Sequence, residues 1–396
     1  MRIMLATQTY SYGNGQASFA IHLAEGLAGL GHQVMVVTSS ERMRSYSAIV
    51  NGVRVEKVAA LPLSFLHPAL FLTLLSRPRA KQLFAAFQPE IVHIQDHYFL
   101  CNSILKEALR AGVPAVGTNH FLPQNILPFL RNHPAIQGIL AHPLWKMMLA
   151  VFNHLEVATA PSETAVEILH EQKIRVPVYA ISNGVDIQRF HPDRAVDRTG
   201  VRHKYSLAPD RTLFLYVGRL DGEKRLDVLL QAASQLGRED FQVAIAGFGL
   251  QEGALRHQAQ SLGLDGHVSF AGYVPPEDLP ALYNSADIFV MPSPEELQSI
   301  ATLEALACGK PVLAAEARAL PELVKHGVNG YLFRPGDSAA AACWMKKMLE
   351  CRDEWPRMGQ SAAESVQRHS LIKSIRSYEQ LYRSVLEKRN RPARQG

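Results

Sequence analysis

The 396-residue chain carries a formal net charge of +5 and an isoelectric point near 9.0. With 47% apolar and 19% charged residues it is globular in composition, which excludes a disordered polypeptide. Its length exceeds what one core comfortably fills and predicts two domains.

The opening RIMLAT has the length and composition of a strand. Gly13 and Gly15 follow, QASFAIHLAEGLAGLGH reads as an amphipathic helix, and QVMVVTS reads as a buried strand. Strand, glycine-rich turn, helix and strand in that order predict the start of a parallel α/β sheet. The first apolar run is too short for a signal peptide. The most lipid-like stretch, residues 59–75, is broken by Pro62, His67 and Pro68. A spanning helix needs about twenty mostly apolar residues, so no membrane span is expected. EIVHIQD, VPAVGTNH and VATAPSE read as later strands of the same sheet, with His93, His97 and His120 following strands.

Residues 181–192, ISNGVDIQRFHP, interrupt the periodicity and predict the connection between two halves. Beyond it TLFLYVGRL, FQVAIAGFG, HVSFAGYV, DIFVMPS and PVLAAE read as strands, and RLDVLLQAASQL and EGALRHQAQSLG as helices. The stretch 370–388 predicts a long amphipathic helix with Leu371, Ile375, Tyr378, Leu381, Tyr382 and Val385 on one side. The expected organisation is one α/β domain over residues 1–185, a second over 186–369, and a helix and tail over 370–396. Cys101, Cys308, Cys343 and Cys351 show neither a CxxC pair nor metal-ligand spacing, so reduced intracellular thiols are expected.

Ligands of doubly wound sheets gather at the carboxyl ends of strands, and the polar features that carry chemistry here follow predicted strands. ELQSIATLEALACGKP sets Glu296 and Glu304 eight positions apart around an apolar helical segment. That spacing is just over two helical turns and places both acids on roughly one side. Glu296 is expected just before the helix, whose first N–H groups, at Gln298, Ser299 and Ile300, suit phosphate oxygens. Carboxylates accept adjacent sugar hydroxyls well. The plain alternative is a helix cap and an ordinary ion pair. In YVGRLDGEKRLDVLL, Gly218 permits close backbone approach, and Arg219 and Lys224 have the placement to clamp a diphosphate. The alternative there is pairing with Asp221 or Glu223.

Taken together these stretches resemble the retaining glycosyltransferase family 4 of two-domain GT-B enzymes. The resemblance covers most of the chain. It runs through the Gly-rich first turn, SNGVD, YVGRLDGEKRLDVLL, IAGFG, FAGYV, the paired-glutamate stretch and CGKPVLAAEARALPELV, in the family's order. It implies an α/β GT-B architecture: two Rossmann-like parallel domains facing a central cleft, with the C-terminal helix crossing back to the first. Arg219 and Lys224 would hold the donor diphosphate and stabilise it as it leaves. Glu304 would bind the ribose hydroxyls, and Glu296 the hexose hydroxyls around C3 and C4. Backbone near Ser299, Ile300 and Leu303 would meet the phosphates and ribose, and Tyr273 and Val274 would lie beside the base.

Gly15 would leave room for the sugar-phosphate, and the split GNG keeps Gly13 open as the alternative. His120, in GTNHF, matches the family's active-site histidine. Asp96, His97 and Asn119 are the acceptor-side candidates, with Asp96 and His97 open between that role and a structural loop. The family's common E-G-F-G-L form is replaced by ELQSI, which keeps the backbone roles and loses a glycine. The resemblance implies displacement with retention. No DxD-like ligand pair stands out, and with Arg219 and Lys224 neutralising the diphosphate no metal and no cofactor are expected beyond the nucleotide-sugar co-substrate.

The first half selects the acceptor in this family. Between residues 60 and 155 seven cations (Arg77, Arg79, Lys81, Lys106, Arg110, Arg131, Lys146) face three acids (Glu90, Asp96, Glu107). Trp145 and Met147 and Met148 flank Lys146, as an interfacial helix would arrange them. GTNHFLPQN and ELQSIATLEA resemble the glycolipid-forming branch, whose acceptors are diacylglycerol or its glycosides. The favoured expectation is hexose transfer from UDP-glucose to such a lipid at an anionic membrane surface, on the cytoplasmic face, with no nucleic-acid partner. A soluble acceptor is the alternative. A GT-B epimerase is a further one, and a phosphorylase would need a cofactor lysine motif that is not found. A silent binding protein is disfavoured by the presence of Glu296, Lys224 and His120.

Overall fold

The computed structural model describes residues 1–11, 15–62, 71–73, 76–123, 134–237 and 240–390. They divide into two compact units. The first joins Met1–Asn183 to Ile372–Gly396, and the second is Gly184–Leu371.

The first unit contains β1 (Arg2–Thr7), β2 (Gln33–Ser39), β3 (Tyr46–Val50), β4 (Val53–Val58), the short pair β5 (Leu61–Pro62) and β6 (Phe71–Leu72), β7 (Ile91–Ile94), β8 (Ala115–Thr118), β9 (Val157–Ala160) and β10 (Val178–Ala180). Eight of these strands make one sheet in the order β10-β9-β8-β7-β1-β2-β4-β3. All neighbours are parallel except β3, which runs antiparallel to β4 at the edge. A strand covered on both faces reads as an unbroken apolar run rather than an alternation. Ile3, Met4, Leu5 and Ala6 of β1 are accordingly all fully buried. His93 lies inside β7, not after it as its flanking residues suggested, and is fully buried.

The helix Gly15–Gly29 covers β1 and β2, and the C-terminal helix Leu371–Asn390 packs against it. Their approach is close. A Cβ on Gly26 would lie 2.1 Å from Ile375 Cδ1, so the Ile375 side chain fills the space that a larger residue at 26 would need. Ile375, Tyr378, Leu381, Tyr382 and Val385 form the buried side of the C-terminal helix.

The second unit holds β11 (Thr212–Val217), β12 (Phe241–Ala246), β13 (Val268–Gly272), β14 (Ile288–Met291), β15 (Val312–Ala315) and β16 (Gly330–Phe333). They form an all-parallel sheet ordered β13-β12-β11-β14-β15-β16. Its core gathers Phe214, Leu215, Val243, Phe289 and Val290 with Leu229, Leu303 and Leu306 from the covering helices.

Both sheets reverse their winding once. In the first, the chain leaves β1 toward β2 and returns to β7 on the other side; in the second it leaves β11 toward β12 and returns to β14. At such a reversal the two following loops splay apart, leaving a crevice at the carboxyl ends of the strands.

Candidate active site

At the β11/β14 reversal the sequence-predicted donor residues converge. Gly218 and Arg219 follow β11, and the 3₁₀ turn Gly222–Lys224 carries the chain into the helix Leu226–Ser234. Glu296 lies in the loop after β14, four residues before the helix Ile300–Ala307. Lys224 Nζ donates to Glu296 Oε1 at 2.6 Å across the reversal. Burial pushes the Glu296 carboxyl up, but Lys224, with help from Ser293 and Arg219, holds it below the usual carboxylate range. Glu296 is therefore an anion, only 8% exposed.

Arg219 pairs with Asp221 through Nη1 and with Glu223 through Nη2, the latter at 2.6 Å. Asp221 also accepts from the Leu250 N–H at 3.0 Å, tying the loop after β11 to the loop after β12. The two loops touch through backbone. A Cβ on Gly247 (φ +137) would lie 1.8 Å from the Gly218 carbonyl oxygen, and Gly218 N–H donates to Ala246 O at 3.0 Å. Glycine is thus needed at 247 for the loops to touch, while a Cβ on Gly218 (φ +156) would lie 2.7 Å from the Tyr216 hydroxyl.

Glu304 sits in the helix Ile300–Ala307, half-buried. It accepts from the Tyr283 hydroxyl at 2.8 Å. Burial drives its pKa up to about 7, opposed by Tyr283 and Arg189. Glu296 and Glu304 therefore differ in kind: one is a paired anion, the other an acid near its titration point. Ser299 caps the helix, its Oγ accepting from Thr302 N–H at 3.2 Å. Ile300 and Leu303 open the helix, with Leu303 fully buried. Tyr273 ends the β13 side with its ring 57% exposed beside Phe248, centroids 6.1 Å apart, and Val274 is buried. Tyr216, Tyr283 and Arg189 were not singled out in the sequence. Each buried tyrosine sits by one of the acids: Tyr216 Oη donates to Arg219 O at 2.7 Å near Glu296, and Tyr283 bonds Glu304. Tyr283 shows as a helical apolar position, and only its partner reveals its hydroxyl's use.

The first unit brings its candidates together at the β1/β7 reversal. Asp96 follows β7 and accepts from the Gln8 N–H at 2.7 Å, the Tyr98 N–H at 3.0 Å and Gln16 Nε2 at 3.4 Å. Burial pushes its pKa up, with these donors and Cys101 opposing. Asp96 thus clasps the loops after β1 and β7. His97 is buried between the Tyr98 and Phe121 rings, neither of its nitrogens hydrogen-bonded, its pKa pushed down by burial to about 4. Asn119 turns the chain after β8, accepting from Phe121 N–H and donating to Phe121 O. His120 then places Nε2 2.8 Å from Gln95 Oε1 and its ring 5.1 Å from Phe19. Burial lowers its pKa to about 3, so it is a neutral imidazole. Gly15 begins its helix in an exposed position, and Gly13 lies outside the described residues.

Part of the predicted basic surface is otherwise engaged. Arg79 pairs with the buried Glu56 at 2.9 Å, and Arg110 pairs with Glu107. Trp145 and Met148 turn inward, with Trp145 edge-on to Phe121, while Lys146 and Met147 face outward with Arg77 and Lys81. Arg131 and residues 63–70 lie outside the described residues. Among the described residues no helix is long and apolar enough to cross a membrane. Nor is any group of three His, Cys, Asp or Glu side chains among them arranged to hold a metal.

Residues 13–189 match the family described as Glycosyltransferase Family 4, and residues 197–365 match Glycosyl transferases group 1. A D-inositol 3-phosphate glycosyltransferase of Nocardia farcinica is 30% identical over 372 residues, spanning 87% of this chain and 79% of that protein. An alpha-monoglucosyldiacylglycerol synthase of Streptococcus pneumoniae is 25% identical over 341 residues, spanning 84% and 75%. The structure of Anabaena HepE in complex with UDP-glucose superposes with a TM-score of 0.79 at 19% identity, over 97% of this chain and 100% of that one.

Proposed function

The chain belongs to glycosyltransferase family 4 and has the GT-B fold, and from that premise we propose that it moves a hexose, with retention, from a nucleotide-diphosphate sugar to a membrane lipid such as diacylglycerol or its glycoside. The observation that carries the donor half is the Lys224–Glu296 pair, with Arg219 beside it, at the reversal of the second sheet. UDP-glucose is the favoured donor.

The roles follow from the charges. A diphosphate entering this crevice exchanges its oxygens for the carboxylates that hold Arg219 and Lys224 in the free protein. Glu296, freed from Lys224, accepts hexose hydroxyls, and Glu304 accepts ribose hydroxyls. In the transfer step the bond from the anomeric carbon to the phosphate oxygen breaks, and negative charge grows on the diphosphate. Fixed cations lower that barrier because they need no reorganisation. The acceptor hydroxyl forms the new bond on the same face, and its proton passes to the departing phosphate oxygen. His120, neutral and with one bare nitrogen, is the first unit's hydrogen-bonding group for a sugar substrate rather than a charged acid. The cationic role is assigned to Arg219 and Lys224, not to a metal ion.

The lipid acceptor is supported by the likeness to the diacylglycerol-glycoside synthase and by the outward Arg77, Lys81 and Lys146. The inositol-phosphate relative favours a soluble acceptor as the second reading. A matrix of labelled nucleotide-sugars against diacylglycerol, glucosyldiacylglycerol, inositol phosphate and buffer, run with and without EDTA, separates them. The expected result is an α-linked glycolipid from a UDP-hexose, insensitive to EDTA. Product only with inositol phosphate would remove the lipid reading, and hydrolysis without transfer would remove both.

A further inference from the structure

The buried polar groups of the first unit form a hydrogen-bonded chain that begins on the C-terminal helix. Tyr382 Oη lies 2.6 Å from His93 Nδ1. His93 Nε2 lies 2.8 Å from Thr118 Oγ1 and 3.2 Å from Gln95 Nε2. The other end of the Gln95 amide, Oε1, lies 2.8 Å from His120 Nε2. His93, Thr118 and Tyr382 are fully buried and Gln95 is 1% exposed, so water does not supply substitutes.

Burial pushes both imidazoles down to about 3, which makes them neutral. A neutral imidazole has one N–H and one bare nitrogen, and an amide has a donor end and an acceptor end. Each bond in the chain therefore dictates the next. With the Gln95 N–H₂ turned to His93, His93 Nε2 is bare, its proton sits on Nδ1, and Tyr382 Oη accepts it. The same amide presents its oxygen to His120, so His120 carries its proton on Nε2 and leaves Nδ1 bare. Reversing the Tyr382 bond puts the His93 proton on Nε2, where it faces the Gln95 N–H₂ until that amide turns round. Thr118 serves either tautomer, donating to a bare His93 Nε2 or accepting from a protonated one, with Thr159 2.7 Å and Tyr378 3.1 Å away as its other partners. The Gln95 amide is therefore the link that carries the choice on to His120.

We propose that Tyr382 is a positioning residue for His120: through His93 and Gln95 it fixes which imidazole nitrogen of His120 carries the proton. The seating of the C-terminal helix is thereby coupled to the hydrogen-bonding competence of the site. This rests on the reading above of His120 as the first unit's hydrogen-bonding group for a sugar substrate.

Tyr382→Phe keeps the ring and removes only the hydroxyl. His93 Nδ1–H then has no acceptor. Moving its proton to Nε2 lets Thr118 Oγ1 accept it but sets two N–H groups against each other across the 3.2 Å contact with Gln95 Nε2. That clash is relieved when the Gln95 amide turns round and the His120 proton moves to Nδ1. Nitrogen-15 NMR of the imidazoles in the full chain reads this directly. The expected result is an Nε2–H His120 in the wild type and an Nδ1–H His120 in Tyr382→Phe. Tyr378→Phe, which removes a hydroxyl one turn away bonded to Thr118 and Thr159, should leave the tautomer unchanged. Gln95→Met cuts the chain without touching the helix and should give a mixture, which covers the case of a Tyr382 variant that does not fold. In turnover, Tyr382→Phe should lower kcat about five- to tenfold with donor KM nearly unchanged. An unchanged His120 tautomer in Tyr382→Phe or in Gln95→Met, or an equal change in Tyr378→Phe, overturns the proposal. A changed tautomer with unchanged kcat upholds the relay and instead removes His120 from the reaction.

Discussion

The two sheet reversals are built alike and furnished differently. At the β11/β14 reversal the crevice holds full charges in opposed pairs, Lys224 with Glu296 and Arg219 with Asp221 and Glu223. At the β1/β7 reversal it holds the Asp96 carboxyl, clasped by backbone and amide donors, among imidazoles, amides and hydroxyls, with His93, His97 and His120 all driven by burial to their uncharged forms. Paired charges cost desolvation unless partners are exact in position, and they are useful where an anion is to be received by exchange. A neutral network costs less, tolerates no stray proton, and suits orientation of hydroxyl groups. The difference teaches that the same topology can present opposed full charges or a mostly uncharged hydrogen-bonding network according to which side chains occupy the two loops.

The comparison is most severely tested at Lys224. Lys224→Ala should lower transfer by about a thousandfold or more if the charged crevice stabilises the leaving diphosphate, with near-normal turnover removing the donor assignment. Thermal unfolding of the same variant separates this from the cost of stranding Glu296 without a partner.

Opposite pH trends give the next largest effect. Glu304 has a folded pKa near 7 against 4.5 for an ordinary glutamate, so the native state holds a proton the unfolded chain has lost. Stability from this group is therefore full below about pH 4.5 and is lost as pH rises to about 7, by roughly 3 kcal/mol. His93 runs the other way: its folded pKa near 3 against 6.5 means that stability is full above about pH 6.5 and is lost as pH falls, again by roughly 2 kcal/mol at pH 5. Hydrogen exchange corrected for its intrinsic pH dependence should show β7 and β8 opening more readily at pH 5 than at pH 7. The helix Ile300–Ala307 should open more readily at pH 7.5 than at pH 5, and Glu304→Gln should abolish that second trend. Parallel trends in the two regions would break the contrast.

The smallest effect concerns the outward cations of the first unit. Lys146→Gln or Lys81→Gln should each weaken binding to anionic vesicles by about fivefold at low salt. Equal binding to neutral and anionic vesicles would detach the neutral crevice from any membrane-surface role.

Much of the scaffold was legible because parallel strands buried on both faces leave continuous apolar runs. β2 coincides with QVMVVTS, and β11, β12 and β14 lie within their predicted stretches. The edge strands β3, β10 and β16 were not, since short or half-exposed strands leave neither a run nor a clear alternation. Lys224 and Glu296 were legible as types and positions, whereas their pairing, 72 residues apart, depends on the sheet reversal. Tyr378 and Tyr382 showed as members of an apolar stripe. Nothing local told that their hydroxyls meet Thr118 and His93, because those partners lie 260 and 289 residues away.

The return of the C-terminal helix to the first unit has a consequence for synthesis on the ribosome. Gly26 meets Ile375 and His93 meets Tyr382, so residues made early wait for partners made hundreds of positions later. The Gly184–Leu371 unit, contiguous in the chain, is free to fold while the nascent chain is still tethered. The earlier-born unit must hold its first strands with one flank uncovered until the helix Leu371–Asn390 has emerged.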